Sequence, residues 1–293
     1  MSIFVVGATS QIGYFLLARL RQRAQDVVAL SRSANRIDDA GVRWLQGEIA
    51  SAPEMAGMSA VISFGPMDGL AQWLARHQTA PAGRLLATSS MSVLTKANSP
   101  VAGEGELVRR LAAGEAALRE QCNRLGMEWT ILRPTLIYGA ARDKSLTPVA
   151  HRAARTRVFP LPAGTGYRQP VHADDLAQIM LALLERKLGG GMILQVGGGE
   201  RLLAADMFRR VRGALPMATL PVPVPGWALS AMARLLPQVK GPVSRLNSDL
   251  IADNAPLAEL LGFKPRPFRL SPWMLGMGAD WEAQLLASVR EKA

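Results

Sequence analysis

The run Ile3-Phe4-Val5-Val6, followed by Gly7-Ala8-Thr9-Ser10-Gln11-Ile12-Gly13, limits what this chain can fold into more than any other feature. An apolar, mostly β-branched stretch ends at a glycine and passes through a small polar turn. Ile12, Phe15, Leu16 and Leu20 then fall on one face of a helix. A strand, a tight turn and a helix N-terminus form a geometry that receives a dinucleotide pyrophosphate on unpaired backbone N–H groups. Gly7 permits the turn, and Gly13 lets helix and strand approach closely. Ser10 stands where the middle glycine of the usual pattern falls. Thr9, Ser10, Gln11 and Ile12 complete the expected cofactor-binding loop.

Further strands are read at Asp26–Leu30, Val42–Leu45, Ala60–Phe64, Arg84–Thr88 and Trp129–Leu132, with a helix over Glu106–Leu125 before the last. Strands alternating with helices predict an α/β fold, a Rossmann-type doubly wound parallel sheet covered on both faces. Ligands on such sheets bind at the carboxyl ends of the strands. Gly7, Arg32, Glu48, Ser63, Ser90 and Thr135 fall at those ends, with Phe64, Gly65 and Pro134 beside them. Past Tyr138-Gly139 the pattern loosens. It returns with the strand-like Gln169–His172, a helix over Asp174–Glu185 and a strand over Met192–Val196. The expected organisation is a dinucleotide-binding domain over 1–140, rejoined by 168–200, with a smaller substrate-binding lobe from 141–167 and 201–293.

At 293 residues the chain can bury a sizeable core. Its single cysteine, Cys122, excludes an internal disulfide framework and points to a reducing compartment. No basic segment precedes the first strand, so no secretory signal is expected and the reading is cytoplasmic. Ala214 to Ala233 is uncharged and long enough to cross a bilayer. Pro216, Pro221, Pro223 and Pro225 would break such a helix, so no transmembrane segment is expected. The apolar stretch Leu220 to Leu236, with a short helix over Trp227–Leu236, reads as core of the lobe. The formal net charge is +11, with most of the excess beyond residue 140. Without a nucleic-acid signature or interleaved aromatics, an anionic small molecule is a better partner than nucleic acid.

Taken in order, these motifs resemble the extended and atypical short-chain dehydrogenases/reductases. These are the NAD(P)-dependent epimerase/dehydratase relatives, which include the nucleotide-binding accessory subunit of respiratory complex I. The resemblance rests on the glycine turn, on Thr88-Ser89-Ser90, on Arg133-Pro134-Thr135-Leu136-Ile137-Tyr138-Gly139 and on Gln169-Pro170-Val171-His172-Ala173-Asp174-Asp175-Leu176-Ala177. Asp253-Asn254 and Leu261-Gly262-Phe263-Lys264-Pro265 extend it toward the C-terminus. It implies a serine after strand five, matched by Ser90, and a tyrosine–lysine pair on the next helix. Aligned on Glu115, those two positions hold Leu107 and Leu111, and neither can transfer a proton. Of the three tyrosines, Tyr138 is expected near the cleft, where a packing role is the commoner reading and an acid the sharper one; Ser90 and Tyr138 are the catalytic candidates.

Arg32 ends strand two, where an acidic residue would take a ribose 2′-hydroxyl and an arginine a 2′-phosphate. NADP is therefore the expected cofactor, with NAD as the alternative; a solvated surface arginine is the plainer reading. Glu48 matches a position near the adenine in relatives, or caps the following helix. Asp174 or Asp175 is expected to cap its helix, with no metal site, because no second histidine lies at ligand spacing. Arg152, Arg155 and Arg168, from the basic run after strand six, are substrate-binding candidates; a solvated basic face is the alternative. The function expected is oxidoreduction or epimerisation of a phosphorylated or nucleotide-linked, sugar-like substrate. A non-catalytic NADP-binding accessory or sensing protein, docked on a partner or membrane complex, is the rival. A homodimer is compatible with either.

Overall fold

The structure is a computed structural model describing residues 2–290 apart from 34–36, 39–40, 100, 102, 236–240, 242 and 244. In chain order the strands are β1 (Ile3–Val6), β2 (Val27–Ser31), β3 (Val42–Gln46), β4 (Ala60–Ser63), β5 (Arg84–Thr88), β6 (Glu128–Pro134), β7 (Ile137–Tyr138), β8 (Val158–Pro162), β9 (Tyr167–Arg168), β10 (Val171–His172), β11 (Met192–Val196), β12 (Leu202–Leu203) and β13 (Leu220–Val224). The helices are α1 (Gln11–Gln22), α2 (Met67–Ala75), α3 (Ser92–Thr95), α4 (Glu104–Arg124), α5 (Leu146–Thr156), α6 (Ala173–Glu185), α7 (Ala204–Gly213), α8 (Gly226–Leu235), α9 (Ala255–Leu261) and α10 (Trp281–Arg290). Seven strands form one parallel sheet in the order β11-β6-β5-β4-β1-β2-β3.

The central strands β1, β4 and β5 are apolar along most of their length because both faces of the sheet are covered. In β1, Ile3 and Val5 enter one layer with Phe15 and Leu16 of α1 and Leu176 and Met180 of α6. Phe4 and Val6 enter the other, with Leu70 and Trp73 of α2 and Leu118 of α4. The same alternation continues through Val28 and Ala29 of β2 and Val61 and Ile62 of β4. A one-residue slip would exchange every one of these partners, so the register is strongly fixed. Full burial of a side chain such as Phe4 contributes about 1.5–3 kcal/mol.

A separate core gathers Leu146 and Ala150 of α5, Phe159 of β8, Met207 and Val211 of α7, and Phe268 and Leu275 from the C-terminal segment. This smaller lobe stands at the carboxyl edge of the sheet. A buried ion network ties it back. Arg19 of α1 grips Asp174 through two bonds, Nε to Oδ1 at 2.6 Å and Nη2 to Oδ2 at 2.9 Å. Arg266 reaches Asp174 at 2.7 Å and Asp175 at 2.6 Å. Burial works to raise the Asp174 pKa, but the two arginines outweigh it and hold the carboxyl below its usual range. At Asp175 burial prevails and the pKa rises.

Two expectations are corrected here. Neither Asp174 nor Asp175 caps α6. The N-cap is His172, whose Nδ1 accepts from the Asp174 N–H at 3.1 Å, leaving both carboxylates for the arginines. The stretch from Leu220 is not lobe core either. Leu220 is 64% exposed, Trp227 77% and Leu235 79%, and Leu229 is the one residue of α8 that is buried. The prolines of β13 leave it as an open ribbon, and α8 turns most of its apolar side chains outward. Leu236, the expected last residue of that helix, lies outside the described residues. No helix among the described residues is long and apolar enough to cross a membrane.

Candidate functional site

The turn after β1 is built for close approach. Gly7 has φ +72°, and a Cβ there would stand 3.1 Å from the Phe64 carbonyl carbon. A Cβ on Gly13 would stand 2.5 Å from the Ala8 oxygen and 2.6 Å from the Gly7 oxygen, so only glycine fits. Ser10, in the middle position, is the N-cap of α1, and its Oγ accepts from the Gly13 N–H at 3.1 Å. That cap uses the N–H of Gly13. The N–H groups of Gln11 and Ile12, in the first turn of α1, have no such side-chain cap and can meet an anion.

A cleft runs along the carboxyl ends of the strands from this turn. Its first chamber, about 770 Å³, is lined by Gly7, Thr9, Ser10, Arg32, Glu48, Phe64, Gly65, Asp68 and Lys144, among others. The second, about 550 Å³, is lined by Gln11, Ile12, Thr88, Ser89, Leu111, Ile137 and Arg142, and shares Thr9, Ser10, Phe64, Gly65, Pro66 and Lys144 with the first. A third, about 310 Å³, opens next to it between sheet and lobe. Ser90, Met91, Ser92, Lys96, Pro134, Thr135, Leu136, Arg168, Met207, Phe208, Arg245 and Leu250 are on its wall.

The expected cofactor residues divide among these chambers. Arg32 and Glu48 stand on the wall of the first; Glu48 makes no side-chain cap to the short 3₁₀ turn after it. Ser63 is buried and its Oγ accepts from the Gly65 N–H at 3.3 Å, so it shapes the turn after β4. Pro134 and Thr135 border the third chamber with Ser90, and the Thr135 hydroxyl donates to the Gln169 carbonyl. The cradle at Gly7 and Gly13 fits a dinucleotide. Two buried polar atoms in the second chamber, Gln11 Oε1 and Ser89 Oγ, have no partner among the described residues, which adds polar groups for a ligand to meet.

The catalytic candidates fare differently. Ser90 Oγ stands on the cavity wall, donating to Ser92 Oγ at 3.0 Å and accepting from the Ser92 N–H at 3.1 Å. Tyr138 is not at the cleft. It is 1% exposed, packed edge-on to His172 and Phe268, with burial pushing its pKa up to about 12. Among the described residues its hydroxyl accepts from the Arg269 N–H, at 3.4 Å. Leu111 faces the second chamber beside Thr88 and Ser89, where the resemblance places a lysine. Glu115, one turn on, pairs with Arg133 and so fastens α4 to β6.

The basic run also separates. Arg168 is buried on the third chamber's wall, donating to the carbonyls of Tyr167 and Ser248 at 2.8 and 2.7 Å; burial, with Arg245 nearby, lowers its pKa to about 10. Arg152 and Arg155 are exposed on the side of α5 opposite Leu146, Ala150 and Ala153, and line none of the three chambers. A spacing that puts two arginines on one helix face does not say which way that face points. Arg142 and Lys144, which open the same basic run, do line the cleft. Sequence reading missed Ser89, Lys96 and Arg245 as site residues. Ser89 lay beside the serine chosen from the motif, whereas Arg245 reaches the cavity only through lobe folding.

Comparison with known proteins agrees with this geometry. The profile described as NAD(P)H-binding matches residues 7–187. The chain belongs to the NAD(P)H-binding family. It is 27% identical over 142 residues to a UDP-glucose 4-epimerase of Vibrio cholerae, covering 47% of this chain and 42% of that one. It is 25% identical over 250 residues to a 2-alkyl-3-oxoalkanoate reductase of Stenotrophomonas maltophilia (strain K279a), covering 73% and 76%. The chain thus spans less than half the length of the first curated relatives it matches, 42% and 24%. Among solved structures, a UDP-glucuronic acid 4-epimerase from Bacillus cereus in complex with NAD superposes with a TM-score of 0.73 at 15% identity, covering 98% and 100%. MoeE5 in complex with UDP-glucuronic acid and NAD gives 0.70 at 17%, covering 97% and 99%. The family match agrees with the resemblance to the extended short-chain dehydrogenases/reductases, and the fold is that of the epimerase structures.

Proposed function

We propose that the chain is an NADP-dependent oxidoreductase of the epimerase/reductase kind, acting on an anionic substrate held in the third chamber. The observation that carries this is the row of chambers along the strand ends: the first two share the loop of the glycine cradle, and the third, with Ser90 on its wall, is lined by residues next in sequence to theirs. Gly7, Thr9, Ser10, Gln11, Ile12, Gly13, Phe64 and Gly65 would hold the dinucleotide, and Arg32 its 2′-phosphate. When bound, that cofactor supplies or accepts a hydride. Ser90 orients the reacting oxygen, while Lys96, Arg168 and Arg245 favour an anion on the wall. Glu104, paired with Lys96 at 3.1 Å and with Arg245, offsets part of that charge. Phosphorylated or nucleotide-linked sugars suit the cations; the apolar wall of Met91, Leu136, Met207 and Phe208 suits an oxo acid equally. Residues 1–140 with 168–200 form the cofactor half in this reading, and the remainder forms the substrate half.

A second reading, a cofactor-binding protein without catalysis, draws on one specific observation. No phenol or lysine stands at the aligned positions, and Tyr138 is sealed in the lobe core. Titrating NADPH, NADH and their oxidised forms, then assaying turnover against UDP-sugars and 3-oxo acids, separates the two. Tight NADPH binding with measurable turnover supports the enzyme. Tight binding without turnover on any of them supports the second reading. Absence of dinucleotide binding overturns both.

A further inference from the structure

We propose that the surface made by β13 and α8 docks on an anionic phospholipid bilayer. In the β8–β13 ribbon, Val158 lies in register with Leu220 and Pro160 with Val222, and all four are exposed. Phe159, on the opposite side of the ribbon, is buried in the lobe core. The chain passes from β13 into α8 through Pro225. At 100° per residue, Trp227, Ala231, Met232 and Leu235 fall on one arc of that helix, away from Leu229. All four are exposed, Trp227 at 77% and Leu235 at 79%. A helix with its apolar arc toward water marks an interaction surface.

Charge selects the partner. No Asp or Glu occurs in 144–173 or in 207–248, the two stretches that build ribbon and helix, while both carry several arginines. Arg152 and Arg155, which line none of the three chambers described, lie just before Val158, and Arg234 flanks the apolar arc of α8. A second copy of this chain would bring like charge against like charge. An apolar helix face with a tryptophan and flanking arginines instead suits the headgroup–acyl boundary of a membrane rich in acidic lipid. This inference stands apart from the proposed chemistry, since none of these residues touches the cleft.

The test is co-sedimentation of the full chain with phosphatidylcholine vesicles, with and without phosphatidylglycerol. Binding is expected only with the acidic lipid, weakening as salt rises and the Debye length shrinks. A blue shift of tryptophan emission on binding should vanish in Trp227→Phe. Leu235→Glu, and separately Arg155→Glu with Arg234→Glu, should each lower partitioning by about tenfold or more. Melting temperature and NADPH affinity should not change in these variants, which keeps misfolding distinguishable. Three results overturn the proposal: no lipid-dependent sedimentation at low salt, binding indifferent to all three changes, or capture by an acidic polypeptide such as polyglutamate without capture by vesicles. A patch-dependent dimer that ignores vesicles would assign the surface to a second copy and overturn it equally.

Discussion

The two ends of the cleft are made of different materials. Around Gly7 and Gly13 the site consists of backbone: a strand end, a left-handed turn and a capped helix start. Around Ser90 it consists of side chains, with Leu111 on the neighbouring chamber's wall and Tyr138 buried in the lobe core. Backbone geometry survives most substitutions because it depends on φ, ψ and the room left by missing Cβ atoms. Proton transfer depends on one atom at one place, and a single change to leucine removes it. Binding and chemistry can therefore diverge within one fold.

The largest effect should come at the joint between sheet and lobe. Asp174→Asn leaves Arg19, 3% exposed, without its bidentate partner and weakens the hold on Arg266. Breaking a buried pair in this way costs about 3–5 kcal/mol. Denaturant unfolding measures it, and a loss under about 1 kcal/mol would show that the two regions do not depend on this network. The acid limb has a defined sign. The Asp174 pKa is lower folded than unfolded, so its stabilisation is present above the unfolded value, about 4, and fades as pH falls through the folded one. Asp175, raised by burial, acts in the opposite direction, so the difference between wild type and Asp174→Asn isolates the first carboxylate.

Next comes the cradle. Gly13→Ala places a methyl 2.5 Å from a backbone oxygen, and backbone cannot turn aside as a flexible side chain would. NADPH affinity should fall about a hundredfold, with a smaller loss of stability from overpacking, about 1–3 kcal/mol. Calorimetry and melting read the two separately. Unchanged affinity would mean that the phosphates are not held at this turn.

A smaller effect is expected at Arg32. Wild type should prefer NADPH over NADH by about tenfold, and Arg32→Ala should erase that preference by weakening NADPH alone. Equal affinities in wild type would remove the arginine from the 2′-phosphate and return it to the solvated surface.

Most of the sheet was legible because its strands are short, β-branched and separated by helices of strong periodicity. β5 matches its expected bounds, and β2 and β4 differ from theirs by one residue. The glycine turn was legible because Gly7 and Gly13 are demanded by local geometry. The lobe was not, because its core is assembled from α5, α7 and residues near 268–277, which no local pattern links. Tyr138 illustrates the limit. Its motif places it near the cleft, but pairing of β7 with β10 turns its ring toward His172 and Phe268 instead. Helical spacing likewise found Arg152 and Arg155 on one face without revealing that the opposite face is the buried one.

The smallest expected effect is the sharpest test of the contrast between the two ends. If Tyr138 were the proton donor, Tyr138→Phe should lower turnover by about 10²–10⁴-fold, the usual contribution of a general acid. Its burial and a pKa raised to about 12 argue that it stays protonated and out of reach. The substitution should then leave kcat unchanged on any substrate found. It removes one long hydrogen bond, 3.4 Å to the Arg269 N–H, so stability should shift by no more than about 0.5–1.5 kcal/mol. Ser90→Ala is the companion measurement, because its hydroxyl stands on the chamber wall and its loss should slow whatever turnover exists. A fall in kcat with Tyr138→Phe and none with Ser90→Ala would reverse the assignment. The lobe core would then have to open during the reaction, and the chemical half of the cleft would be less depleted than its resting geometry shows.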